Sequence, residues 1–466
     1  MCRIIVIPIL ACLSLASGQA VSDPAPPPPG LTERFFWNQL DYAYPTPQMR
    51  AAALNSQEFV PKNNLPVGIE VWNNKLFISV PRWDKGVPST LNFVPLEDEY
   101  GHPLPPISNA PLIPYPDWET NQMGAPCKNR LNTVYRMRAD ECGRLWVLDS
   151  GTIGIGESTQ QVCPYGLHVY DLNTNQQIHY YQLQASDTNK DSFIANIVVD
   201  VGGNCSDTHV YASDELGYGL IVYSLDKDFS WRFDHQYFHP DPVAGDYNIG
   251  LNYQWSEEGI FAMELTPVQP DGSKTLLFHP LSSYRNFFVS TNILKDQSKA
   301  ISKNYFHDFS YFPDLGPNFH ITTQVIHNGV LYKNLVDQNA IGCWRLDKDY
   351  TPANHAIITK EDTSFIYPSD MRITKTGTLW AITDRMPIHL MATLDFKDIN
   401  FRIFSGDANQ LVAGTICDPY LQAPPKPQPS AYQYHRYDPN AEYNKNYYSQ
   451  SVSPYTTPLK PVKEYD

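Results

Sequence analysis

Between residues 31 and 418 one pattern of hydrophobic and polar positions returns six times. An extended segment runs into a polar turn, usually carrying Gly or Asn, and a short strand of β-branched and aromatic residues follows. Asn73-Asn74-Lys75 leads into Leu76-Phe77-Ile78-Ser79-Val80, Gly143-Arg144 into Leu145-Trp146-Val147-Leu148-Asp149, and Asp207-Thr208-His209 into Val210-Tyr211-Ala212-Ser213-Asp214. Glu258-Gly259 leads into Ile260-Phe261-Ala262-Met263-Glu264, Asn328-Gly329 into Val330-Leu331-Tyr332-Lys333, and Gly377-Thr378 into Leu379-Trp380-Ala381-Ile382-Thr383-Asp384. Aligned in this way, Phe77, Trp146, Tyr211, Phe261, Tyr332 and Trp380 recur about every 50 to 70 residues, a little above the usual blade period of a propeller. A four-stranded blade buries both faces only against neighbours, so six of them set radially predict an all-β, six-bladed β-propeller. Two β-sandwiches are the rival, but they do not call for one repeated hairpin at this spacing. Leu167 to Leu172, Leu220 to Leu225 and Thr275 to His279 read as outer strands of their blades.

The ends break the pattern. Met-Cys-Arg, an apolar run from Ile4 to Ala16, and Ser17-Gly18 have the form of a secretory signal over residues 1–18, cut before Gln19. The run is about 13 residues, short of the roughly 20 that a membrane-spanning helix needs. Residues 19–30 read as an exposed proline-rich leader, with Pro24 to Pro29 unable to join a ladder. Residues 419–466 turn to Pro, Tyr, Asn, Ser and Gln and are expected to form a disordered tail. The expectation is a secreted, extracellular protein.

Charge narrows the partners. The chain holds 49 Asp+Glu against 34 Lys+Arg, a formal charge of -15, with no basic stripe for a phosphate backbone. Neither nucleic acid nor a membrane is an expected partner. Beyond the signal, six cysteines remain: Cys127, Cys142, Cys163, Cys205, Cys343 and Cys417. In an oxidising compartment they favour three disulfides, with fifteen pairings open. Their long irregular spacings lack any C-x-x-C, so no metal is expected.

Longer strings around the hairpins resemble the Yellow / major royal jelly protein family. They include Leu65-Pro66-Val67-Gly68-Ile69-Glu70, Val80-Pro81-Arg82-Trp83-Asp84-Lys85-Gly86-Val87-Pro88 and Asp140-Glu141-Cys142-Gly143-Arg144-Leu145-Trp146. Asp214-Glu215-Leu216-Gly217-Tyr218-Gly219, Asp337-Gln338-Asn339-Ala340-Ile341-Gly342-Cys343-Trp344 and Ser369-Asp370-Met371-Arg372 continue the match. The resemblance implies a six-bladed propeller, secretion, and roles in insect pigmentation and cuticle. It also implies the pairs Cys127 with Cys163, Cys142 with Cys205, and Cys343 with Cys417. Some members of the family bind biogenic amines in the central channel, some convert dopachrome, and the royal jelly branch is nutritional.

A propeller holds ligands in its tunnel, which Gly68 to Glu70, Val134 to Arg136, Asn196 to Asp200, Gly250 to Tyr253, Thr322 to Gln324 and Pro368 to Asp370 are expected to feed. Such amides, hydroxyls, carboxylates and rings suit a small aromatic amine or catechol-derived ligand, its ammonium paired to a carboxylate or set over a π face. Thr323 and Asn339 match positions of the amine-binding relatives, and Glu70 and Asp370 are the carboxylate candidates. No catalytic residue is singled out and no cofactor is implied. A dopachrome-type tautomerase is the enzymatic alternative, with His320, His327, Glu70 and Asp370 as candidate acids and bases. Calcium-dependent propeller hydrolases gather Glu, Asn and Asp around one cation, a grouping open to Glu70, Asn196 and Asp370. A third class is structural, with the tail tyrosines joining the protein to a cuticle matrix. Asn204-Cys205-Ser206 is a glycosylation sequon whose central residue is a disulfide candidate.

Overall fold

A computed structural model describes residues 25–248 and 251–421. The signal, the first part of the leader and residues 422–466 of the tail lie outside the described residues.

Six antiparallel sheets follow one another along the chain. The first blade is Gly68–Trp72, Lys75–Ser79, Leu91–Pro95 and Ile113–Pro114; the second is Val134–Ala139, Arg144–Asp149, Gly166–Asp171 and Gln176–Gln182. The third comprises Ile194–Val201, Thr208–Asp214, Gly219–Ser224 and Phe229–Asp234, and the fourth Ile260–Leu265, Thr275–Pro280, Phe287–Ser290 and Phe309–Tyr311. Ile321–His327, Val330–Leu335, Ala340–Arg345 and His355–Lys360 make the fifth, while Pro368–Ile373, Thr378–Thr383 and Phe401–Asp407 begin the sixth. The protein is a six-bladed β-propeller, and the innermost strand of each blade borders the inner strands on either side. Gly68 permits one such approach, since a Cβ there would stand 2.6 Å from the Tyr135 carbonyl of the second blade.

Chain ends close the ring. The early strand Thr32–Trp37 pairs antiparallel with Phe401–Asp407, matching Thr32 to Ser405 and Trp37 to Phe401, and Ile107–Ser108 adds a fifth strand in parallel. The leader joins this closure more closely than its proline content suggests: Pro28 is buried, the Pro29 carbonyl accepts from Thr359 Oγ1 at 2.7 Å, and the Pro26 carbonyl from Ser364 Oγ at 2.7 Å. A proline has no N–H to offer a ladder, but its carbonyl still accepts. Three disulfides, Cys127–Cys163, Cys142–Cys205 and Cys343–Cys417, are the pairs the resemblance implies. Asn204 beside the second is exposed, and its Oδ1 accepts from the Ser206 N–H and hydroxyl.

Two strand assignments shift. Ile260–Leu265 is the inner strand of its blade, whereas the other five repeated segments are second strands, so Thr275–Pro280 and its Phe278 are the true counterparts in the fourth blade. Both strands alternate and both follow a polar turn, so pattern alone does not separate them. Leu167 and Leu220 begin third strands, and none of the three segments read as outer is outermost. The insertion before the fourth blade carries its own hairpin, Asp246–Asn248 with Asn252–Gln254. The stretch Gly250 to Tyr253 therefore overlaps a mouth loop rather than an inner strand.

Candidate functional site

At mid-channel Arg136 crosses the tunnel. Its side chain is fully buried, Nη1 lies 2.9 Å from Asp370 Oδ2 and also donates to the Val67 carbonyl, and Nη2 donates to the Ser369 carbonyl at 2.7 Å. The guanidinium also sits 5.2 Å from the Tyr135 ring centre and 5.4 Å from that of Phe261. Burial by itself raises a carboxyl, but Arg136, Arg372, Arg138 and the Ile69 N–H outweigh it at Asp370 and hold it below its ordinary range. Thr323 Oγ1 donates to Asp370 Oδ1 at 3.1 Å, and Arg372 reaches both Asp370 at 3.1 Å and Glu70 at 3.5 Å. Three of the four sequence candidates, Thr323, Asp370 and Glu70, are thus one network. The same arginines engage the trio considered for a cation, since Arg138 Nη2 donates to Asn196 Oδ1 at 2.6 Å.

Glu70, Arg138, Glu264 and Arg372 lie near the far ends of their inner strands and sense one another's charge. Burial raises Glu70, lifts Glu264 to about 7 and lowers Arg138 to about 9. Two carboxyls and two guanidiniums thus meet at that end as one polar girdle.

The opposite end, where the inner strands begin, is different in kind. Tyr135 packs against Trp83 at 5.6 Å, Phe193 at 5.4 Å and Phe261 at 6.1 Å, while Tyr247, Tyr253 and Trp255 of the insertion pack on one another within 6.1 Å. Among these rings stand two buried glutamates, Glu215 and Glu258, whose carboxyls hydrogen-bond each other. Burial, then the charge of Glu258, pushes Glu215 well above the carboxyl range; Glu258 is raised by burial and steadied by Glu215 and the Trp255 indole. Burial and the charge of Glu258 thus favour the protonated form of Glu215, and the two carboxyls face each other through a hydrogen bond.

Asp384 completes the mouth for a reason visible in the repeat. The Asp that follows a second strand usually accepts N–H groups from the segment entering its own blade: Asp149 from Asn132 and Thr133, Asp214 from Phe193, Asp337 from His320. In the sixth blade the corresponding Tyr367 N–H donates instead to Asn339 Oδ1 at 3.3 Å. Asp384 retains the Met386 N–H on Oδ1 and has the Ser369 hydroxyl beside it, and burial outweighs both and lifts it to about 7. Among the described residues the Tyr253 and Tyr367 hydroxyls and Arg136 Nε meet no partner, a concentration of unanswered polar atoms that buried sites avoid unless a ligand or water serves them.

Asn339 stands apart from the Thr323 network, on the loop whose Nδ2 donates to Asp362 at 3.4 Å, and meets the mouth only through Tyr367. His320 is committed elsewhere: Nδ1 faces Asp337 at 2.7 Å, Nε2 the Ala244 carbonyl at 2.7 Å, and the ring stacks on Tyr247 at 3.9 Å. His327 is four residues beyond Thr323 on an extended strand, about 13 Å away. Glu215, Glu258 and Asp384 are thus the acidic groups of the mouth that sequence reasoning passed over. Glu215 lay inside a quoted motif, but only the fold sets it against Glu258.

The fold and this site define a class, a six-bladed propeller whose channel is crossed at mid-height by Arg136 and lined at one end by aromatic rings and buried carboxyls. The model of the major royal jelly protein family matches residues 132–417, and the chain belongs to that family. It is 47% identical over 392 residues to Protein yellow of Drosophila pseudoobscura pseudoobscura, covering 83% of this chain and 68% of that one. To Protein yellow of Drosophila madeirensis it is 46% identical over 417 residues, 89% of this chain and 71% of that one. Among solved structures, the RRP9 WD40 repeats align with 74% of this chain and 94% of theirs, at 8% identity and a TM-score of 0.41.

Proposed function

We propose that this Yellow-family protein is secreted and acts in pigmentation or cuticle maturation by binding catechol- or indole-amine metabolites at the aromatic mouth of the channel. The observation that carries the reading is the Glu215–Glu258 pair, two buried, mutually hydrogen-bonded carboxyls set among aromatic rings. An aryl ring stacks there while its ammonium pairs with the glutamates, an arrangement in which a desolvated cation–π contact adds about 2 kcal/mol. Tyr253, Tyr367 and Asp384 offer partners for catechol hydroxyls. Three disulfides favour an oxidising, extracellular setting.

A tautomerase of the dopachrome type is the second reading, favoured by Asp384, whose value of about 7 suits proton transfer near neutral pH. Calorimetry with dopamine, run beside the decay of dopachrome absorbance, separates the two. Saturable heat that weakens at least about tenfold in Glu258→Gln is expected, since a charge-assisted bond is worth roughly 1.5–3 kcal/mol. Unchanged affinity in that variant would sink the site, and dopachrome decay proportional to protein and lost in Asp384→Asn would establish the enzyme. A matrix role for the tail is a separate proposal, tested by retention on cuticle after removal of residues 422–466.

A further inference from the structure

Away from the channel, the fifth blade carries a partly open pocket of about 180 Å³ between Val330–Leu335 and the strands outside it. Phe319, Leu335, Pro352, Ala356 and Ile357 give it an apolar lining, and Lys333 is its cationic side chain. The register shapes its wall. Lys333 pairs across the ladder with Gly342, whose missing side chain lets Leu335 pack where a Cβ would stand 2.8 Å from it, and the next ladder is irregular between Ile341 and Gly342.

Lys333 is 1% exposed. Its Nζ lies 2.8 Å from the Tyr350 hydroxyl and 3.2 Å from His355 Nε2, with the Tyr350 ring centre at 4.5 Å. Among the described residues no carboxylate stands within ion-pair distance of it. His355 Nδ1 faces the Thr351 carbonyl at 2.7 Å and must donate to it, so the imidazole turns an unprotonated Nε2 toward Lys333. Blade four contributes Asn286, which donates to the Tyr350 hydroxyl at 2.8 Å, and a fully buried His279. A lysine in apolar surroundings, with a base beside it and no counter-charge, is the usual environment of an amine that attacks carbonyls.

We propose that Lys333 is the nucleophile of a second site that captures small apolar aldehydes as imines. The Nζ lone pair attacks the carbonyl carbon while the carbonyl π pair moves to oxygen. His355 Nε2 takes a proton from the resulting ammonium and the oxygen is protonated to a hydroxyl. That hydroxyl takes up a proton from solvent and departs as water as the nitrogen lone pair forms C=N, and the iminium N–H returns one proton to solvent to leave the imine. One amine and one aldehyde give one imine and one water, with no oxidant or reductant. A cavity near 150 Å³ accepts benzene, so about 180 Å³ selects aldehydes of the size of benzaldehyde. Burial lowers Lys333 to about 7, which leaves a share of its amine free at neutral pH, and keeps His355 neutral beside it.

The test treats the full secreted protein with benzaldehyde and cyanoborohydride, then maps benzylated lysines by peptide mass spectrometry. Lys333 is expected to be labelled at least about tenfold faster at pH 7 than exposed Lys190, with excess toluene protecting Lys333 alone. Its rate should level off above about pH 7, whereas an ordinary exposed lysine keeps rising toward pH 10. His355→Gln should slow labelling of Lys333 and leave Lys190 unchanged. Labelling of Lys333 no faster than Lys190, or insensitive to toluene, overturns the proposal on the unmodified protein, whatever the variant's stability.

Discussion

Burial lifts Asp384 from an ordinary 3.8 to about 7, so the folded protein holds a proton there that the unfolded chain has already lost. Between about pH 4 and 7 folding takes up that proton, and the stability tied to this residue falls as pH rises. Above 7 the cost is complete, at most about 4 kcal/mol. Asp384→Asn keeps an Oδ1 for the Met386 N–H but removes the titration. Thermal unfolding of parent and variant should therefore coincide near pH 4 and separate by several degrees in favour of the variant at pH 8. A constant offset at both values would show that Asp384 does not titrate in this window. Nothing local marks this aspartate. Asp149, Asp214 and Asp337 end similar strands, and only the diversion of the Tyr367 N–H to Asn339 leaves Asp384 without that donor.

At the scale of elements, the strand Thr32–Trp37 joins the first described residues to the last blade. Phe35 and Trp37 are buried and the Trp37 indole N–H donates to the Ala110 carbonyl at 2.8 Å, so the strand is both ladder and core. A protein beginning at residue 25 should melt with one beginning at residue 19, and one beginning at residue 31 should melt a few degrees lower through loss of Pro28 and the Pro26 and Pro29 carbonyls. Starting at residue 38 exposes the open edge of Phe401–Asp407 and should abolish soluble product. Equal melting of the last form with the first would exclude closure by this strand. The hairpin repeat was legible because alternation and turn residues are local, yet the fourth blade was read one strand out of step. Ile260–Leu265 and Thr275–Pro280 carry the same alternation, and only pairing partners tell an inner strand from a second one.

For the whole molecule, the disulfides tie segments separated by 36, 63 and 74 residues. If loop closure dominates, removing Cys343–Cys417 costs about 4 kcal/mol and removing Cys127–Cys163 somewhat less. Paired Cys→Ala variants compared by thermal unfolding should fall in the order of loop length, with the Cys343–Cys417 variant lowest. A lowest melting temperature for the Cys127–Cys163 variant would show that local packing, not loop length, sets the contribution.

The number of blades, the all-β class and five of the six stretches expected to feed the channel were determined by the sequence itself, because each follows from periodicity and turn chemistry within a few dozen residues. The network of Thr323, Asp370 and Glu70 was half legible, since the residues were nameable but Arg136 and Arg372, which bind them together, gave no local sign. Glu215 against Glu258 in the mouth, and Lys333 against His355 in the pocket, were decided only by tertiary structure. Partners 43 and 22 residues apart meet because blades and strands pack. Burial then alters their charge, and burial is a property of the surroundings that no single segment carries.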